Sequence, residues 1–230
     1  MMHDLGGILA TALQLIINLQ PELVEIVILS LQVSITAVLI ATLISIPLGT
    51  LLGTYRFPGH SLICGTLNTL MGLPPVVVGL GLYLFLSRSG PLGDLNLLFT
   101  SSAMIIAQCI LVTPIIASLT QQTVNDLFQQ HQEQFKALGA PISSTLLPLA
   151  WDARNSLLTA ILAGFGRASA EVGAVLIVGG NINHVTRVMT TTIALETSKG
   201  NLELAMALGI ILLAISFSIT SLMMLVRQHK

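Results

Sequence analysis

The chain has 230 residues, 53% hydrophobic and 8% charged, with a formal net charge of −1 and a mean hydropathy of +0.89. Soluble domains carry roughly a quarter charged residues, so a water-exposed globule is excluded, and the absence of a basic stripe excludes a nucleic-acid partner. The apolar residues come in blocks near the ~20 that cross about 30 Å of hydrocarbon as a helix, without two-residue alternation. In lipid every backbone N–H and C=O must be satisfied internally, which leaves helices: the fold class is all-α, a polytopic transmembrane protein in a lipid bilayer.

Residues 1–20 hold an apolar stretch of about fifteen residues, short for a span and read as an interfacial helix, with a spanning helix as the alternative. They lack the basic n-region and cleavage site of a removable signal peptide. The first spanning block, 23–54, follows Pro21 and ends in the basic, aromatic Tyr55-Arg56-Phe57-Pro58-Gly59-His60. The second, 61–87, contains Gly72-Leu73-Pro74-Pro75, Gly79 and Gly81, and its proline pair should bend or break the helix. The third, 102–120, leads into the one sizeable polar segment, 121–154. A fourth block, 156–180, is rich in small residues and carries Arg167 and Glu171, and a fifth covers 202–226. With about five spans, no internal repeat and no linker, residues 1–230 read as a single domain.

Five spans place the termini on opposite sides. Setting the carboxyl end inside collects Arg56, Lys136, Arg154, Arg227 and Lys230 there and leaves Arg88, Arg187 and Lys199 outside, the bias of cytoplasmic loops. Segment 121–154 then faces the cytoplasm and 181–200 faces outward. Within the former, Asn125-Asp126 reads as the cap of a short helix through His131, and a glycine stop at Gly139 precedes apolar 142–151. Such a unit is either a solvated connector or a piece that inserts into a groove on a soluble partner. Trp151 and Tyr55 read as interfacial anchors, and Cys64 and Cys109 as small apolar packing residues.

The run Glu133-Gln134-Phe135-Lys136-Ala137-Leu138-Gly139-Ala140 resembles the EAA loop of ABC importer permeases, E-A-A-x-x-L-G-A, with Gln134 and Phe135 in place of two alanines. Leu147-Pro148 follows the glycine sooner than that family's Leu-Pro pair, so Pro148 inherits no role. Met71-Gly72-Leu73-Pro74-Pro75-Val76-Val77-Val78-Gly79-Leu80, Ser87-Arg88-Ser89-Gly90-Pro91-Leu92-Gly93, the run from Ala163 to Ala174 and the run from Thr191 to Gly200 are similar to the permease of tungstate-type ABC importers. The resemblance implies an ABC importer permease fold in the inner, cytoplasmic membrane. It also implies a homodimer, a separate ATP-binding ABC subunit contacted through Glu133, Ala137, Leu138 and Gly139, and an extracytoplasmic oxyanion-binding protein. The cargo it implies is tungstate first, then molybdate or sulfate.

The residues agree with this division of labour. No phosphate-binding G-x-x-x-x-G-K-[ST] loop is present, so ATP hydrolysis falls to a partner and this chain is expected to hold no cofactor and to be no enzyme. His3, His60, His131, His184 and His229 are scattered, without metal-ligand spacing. Arg167 and Glu171, four apart on one helix and near mid-membrane, either lock helices together or line the pathway, with Arg167 drawing in an anion. Ser156, Ala160, Gly164 and Ala168 form a row suited to close helix packing. Pro74, Pro75 and Gly79 are candidates for a gate or a packing kink. Arg187 beside Thr190, Thr191 and Thr192 suits oxyanion hand-over or helix capping. An ATPase-independent secondary transporter or channel is the alternative class, and few intramembrane acids serve it.

Overall fold

The computed structural model describes residues 5–137, 139 and 141–228. Among them are ten α-helices, one 3₁₀ turn and no strand: α1 (Leu5–Ile17), α2 (Pro21–Thr54), α3 (His60–Leu70), α4 (Pro75–Leu86), the turn Gly93–Leu95, α5 (Ser101–Ala137), α6 (Ile142–Asp152), α7 (Arg154–Ser169), α8 (Gly173–Gly179), α9 (Met189–Lys199) and α10 (Leu202–Gln228). Helices α2, α5 and α10 are long and apolar enough to cross a membrane. The pairs α3–α4 and α7–α8 qualify as two further spans, each broken by a sharp bend. The protein is thus an all-α, multi-pass membrane chain, and α1, at 13 residues, is too short to span.

Two sequence expectations change. Polar residues 121–137 form no separate short helix, because α5 runs unbroken through them for 37 residues. Polarity does not stop a helix, and the residues that weaken one, glycine and proline, do not occur between Pro114 and Gly139. Conversely, residues 156–180 are not one helix: α7 stops at Ser169 and α8 starts at Gly173. Arg167 and Glu171 therefore do not share a continuous helical face, since Glu171 falls in the interruption.

The chain gathers into two compact units. The first contains the stretch up to Ile35, Pro75–Ala107 and the stretch from Ser169. Its core joins α1, α2, α9 and α10 through Ala12, Leu23, Ile26, Met189, Ala207 and Leu208, while α4 packs on α8. That contact needs a glycine: a Cβ on Gly79 would lie 2.8 Å from Ala174 Cα.

The second unit contains Thr36–Pro74 and Gln108–Ala168. Its part of α2 buries a row at four-residue spacing, Ala37, Ala41, Ser45, Gly49 and Gly53, against α5. A Cβ on Gly49 would come 2.6 Å from Thr120 Cβ, and one on Gly53 would come 2.9 Å from Val124 Cβ. Ser45 Oγ donates across the same contact to Thr113 O at 3.0 Å. Gly164 in α7 meets Val112 and Ile116 of α5 just as closely, with Ala160 and Ala168 also buried. Lipid tails are as apolar as leucine, so this close van der Waals contact supplies much of the attraction between membrane helices.

Overpacking such a contact costs about 1–3 kcal/mol. Gly49→Val is expected to lower the thermal unfolding temperature of the detergent-purified protein. Gly209→Ala, where an added Cβ meets nothing within 4 Å, should leave it unchanged.

Candidate functional site

Both broken spans carry their breaks in local chemistry. Proline disfavours helix in the residue before it, so Leu73-Pro74-Pro75 ends α3 at Leu70 and lets Pro75 open α4, the helical position where a missing N–H costs least. Beyond it, Val76 touches Gly173 and Gly79 touches Ala174, bringing the first turns of α4 against the start of α8.

The α7–α8 break has its own set of partners. Ala168, near the end of α7, accepts a 3.1 Å hydrogen bond on its carbonyl from Gln108 Nε2 of α5. Glu171, 3% exposed, accepts at Oε1 from Ala174 N–H at 2.9 Å, in the first turn of α8. Its carbonyl in turn accepts from Thr190 Oγ1 at 2.7 Å. Gln108 is 4% exposed and its Oε1 has no hydrogen-bond partner. Arg167 lies half-buried in the last turn of α7, where a cation complements the helix dipole.

The threonines at the head of α9 are committed to the protein. Thr192 Oγ1 donates to Val188 O at 2.7 Å, and Thr191 Oγ1 lies 2.9 Å from Asn181 Oδ1; both side chains are buried. Arg187 pairs with Glu22 at 3.2 Å rather than with these hydroxyls. Sequence reasoning missed two further anchors. Ser30 Oγ accepts from Met189 N–H at 2.7 Å, and buried Thr186 Oγ1 donates to Gly179 O. Ser30, a small polar residue inside the apolar α2, was the readable signal for the first.

At the other candidate region, α5 ends at Ala137 and Gly139 takes φ +62°, the left-handed conformation of a helix stop. Leu138 lies outside the described residues. Exposed Glu133 and Ala137 sit on the last turns of α5, while Phe128 and Phe135 stack at 6.1 Å. Val124, Leu149, Ala153 and Leu157 form a buried cluster joining α5, α6 and α7. Leu147 and Trp151, one turn apart on α6, are 81% and 66% exposed, and Arg154 stacks over the Trp151 ring at 5.4 Å.

Two tests follow from this geometry. Glu171→Ala strands a buried N–H, which costs about 1–3 kcal/mol, whereas Glu171→Gln retains the acceptor and should melt within a few degrees of the wild type. The Glu196 carboxyl is held below its ordinary value of 4.5, first by the hydrogen bond from Lys199, then by that from Asn201, against the opposing effect of burial. A carboxylate lowered on folding stabilises the protein above its unfolded pKa and loses that contribution as pH falls through the folded value. Below about pH 4.5 the melting temperature of the wild type should therefore fall more steeply than that of Glu196→Gln.

The chain is 42% identical over 205 residues to a probable anion ABC transporter permease protein of Haloferax volcanii, covering 87% of this chain and 88% of that one. It is 41% identical over 210 residues to the tungstate uptake system permease protein TupB of Peptoclostridium acidaminophilum, covering 91% and 92%. A sulfate transport system permease protein, CysT of Salmonella typhimurium, is 26% identical over 214 residues, covering 85% and 76%. No family model matches the chain. With two relatives above 40% identity along nearly the whole length, three spanning helices and two bent helix pairs that bring the count to as many as five, and the helix–glycine–helix unit of α5, Gly139 and α6, the chain belongs to the family of ABC transporter permease proteins that includes the anion and tungstate uptake permeases.

Proposed function

We propose that this chain is the permease subunit of an ATP-driven tungstate importer. It would work as a homodimer in the cytoplasmic membrane, with separate ATP-binding ABC subunits and an extracytoplasmic oxyanion-binding protein. The observation that carries the cargo is the 41% identity to a tungstate uptake permease over 91% of the chain, against 26–28% for the sulfate permeases.

The physical argument for the motor is the α5–Gly139–α6 unit. Its exposed Leu147 and Trp151 form an apolar ridge at i, i+4 spacing, a pattern that fits a groove on a soluble partner. Leu149 and Ala153, buried between them and beyond, hold α6 on Val124 and Leu157. A push on the ridge is therefore delivered to α5 and α7 through packed side chains. Glu171, Thr190 and Gln108 act in this reading as positioning residues that hold the broken backbone, while Arg167 contributes positive charge along the anion's route.

Aromatic and aliphatic anchors at the centre of an interface commonly contribute about 2 kcal/mol or more each. The double variant Leu147→Ser/Trp151→Ser should lose the ATP-binding subunit during purification from native membranes, and tungstate uptake should fall by about tenfold or more. Full uptake with no ATPase bound would refute the importer and favour an autonomous transporter.

A further inference from the structure

After α4 the chain turns through Ser87-Arg88-Ser89-Gly90-Pro91-Leu92 into the 3₁₀ turn. The turn borders a cavity of about 570 Å³ whose lining includes Tyr83, Ser87, Arg88, Ser89, Asn96 and Phe99. That volume is within the range of small-molecule sites, roughly 300–1,000 Å³. The walls are fixed. Gly90 N–H donates to Ser87 O at 2.8 Å, Leu92 N–H to Phe85 O at 3.0 Å and Gly93 N–H to Gly90 O at 3.1 Å. Phe99 adopts φ +62°, a conformation that bulky residues avoid. It is held there by a 2.9 Å bond from its N–H to Val178 O and by the edge of the Tyr83 ring at 6.3 Å.

Charge decides what the cavity suits. Within this unit Arg187 is paired with Glu22, Lys199 with Glu196 and His184 with Glu25. Among the described side chains of the unit, Arg88 has no acidic partner; it is exposed and lines the cavity. The same lining offers the hydroxyls of Tyr83 and Ser89 and the amide of Asn96. Ser87 already donates to Leu84 O at 3.1 Å, and Asn96 uses one amide proton on Asp94 O at 3.0 Å, leaving its second. The Asp94 side chain is not part of the lining.

We propose that this cavity is a subsite for a tetrahedral oxyanion on the outward side of the permease. The Arg88 guanidinium grips two oxygens, and Ser89, Tyr83 and Asn96 donate to the others. Guanidinium matches such anions bidentately, and its exposure to water keeps the hold weak enough for release, as conduction requires. The inference rests on the transport function proposed above and adds a point on this chain where the anion is first held.

The test uses the intact permease–ATPase complex in lipid nanodiscs, without the binding protein, and measures tungstate retention by equilibrium dialysis. Arg88→Gln should weaken retention by about tenfold and Arg88→Lys by less, because an ammonium keeps the charge and loses only the bidentate grip. Docking of anion-free binding protein should be unchanged in both. Unaltered retention in Arg88→Gln, or no retention by the wild type of the anion that the complex transports, overturns the subsite. So does loss of docking with tungstate affinity intact, which would assign Arg88 to a carboxylate on the partner. Should Arg88→Gln fail to fold, Tyr83→Phe/Ser89→Ala in a folded complex is expected to weaken retention by about threefold, and no change overturns the proposal. If the complex carries sulfate but not tungstate, the cargo assignment fails while sulfate retention still tests Arg88. Normal tungstate uptake with unaltered retention removes the subsite and leaves the importer standing.

Discussion

A helix broken inside a bilayer exposes backbone groups that no water can satisfy, and each orphan costs several kcal/mol. The α7–α8 interruption of this permease survives because specific side chains take the place of the missing turn. Gln108 donates to the Ala168 carbonyl, Glu171 accepts from the Ala174 amide, and Thr190 donates to the Glu171 carbonyl. Each bond lies within its own unit: Gln108 holds the end of α7, and Thr190 and Ala174 hold Glu171. The buried Glu171 thus supports backbone on both of its sides, through its carboxylate and through its carbonyl.

The same economy governs packing. Where helices must touch without a hydrophobic drive, they do so by removing side chains. Gly49 and Gly53 on α2, Gly164 on α7 and Gly79 on α4 each stand where a Cβ would collide with the neighbouring helix. Apolar bulk is displaced outward, and residues such as Leu43, Leu62, Leu213 and Phe217 are more than 70% exposed in the single chain. A soluble protein could not tolerate that surface; a bilayer or a second membrane chain accommodates it.

Much of this was legible from composition and punctuation. Block lengths marked the three long spans and the two bent pairs that can bring the count to five, Pro74-Pro75 marked the first break, Gly139 marked the helix stop, and the Gly164 row indicated close packing. The errors share a cause: local chemistry was read without its tertiary partners. Asn125-Asp126 resembles a helix start, yet Val124, Leu127 and Phe128 pack into a cluster that carries α5 straight through. Nothing local to Ala170-Glu171-Val172 forbids a helix; the interruption depends on Gln108 and Thr190, 60 and 19 residues away from their acceptors. The α2 row is written in the sequence as Ala37, Ala41, Ser45, Gly49 and Gly53, but its small residues stand among bulky apolar ones, and only the facing Thr120 and Val124 of α5 distinguish a packing face from a lipid-facing one.

The uninterrupted α5 has a mechanical meaning. At 1.5 Å per residue its 37 residues make a rod of about 55 Å, capped at one end by Thr100 Oγ1, which accepts from Ala103 N–H, and stopped at the other by Gly139. Pro114 removes one bond from its backbone ladder, but from Ile115 to Ala137 neither proline nor glycine occurs, so this stretch of about 35 Å turns as a unit and a tilt of about 5° at Pro114 sweeps its end through about 3 Å. Polar residues 121–137 are thus the handle of a lever whose shaft is the membrane span. Flexibility introduced there, for instance by a glycine pair, would uncouple the handle from the shaft while leaving every contact of the span in place.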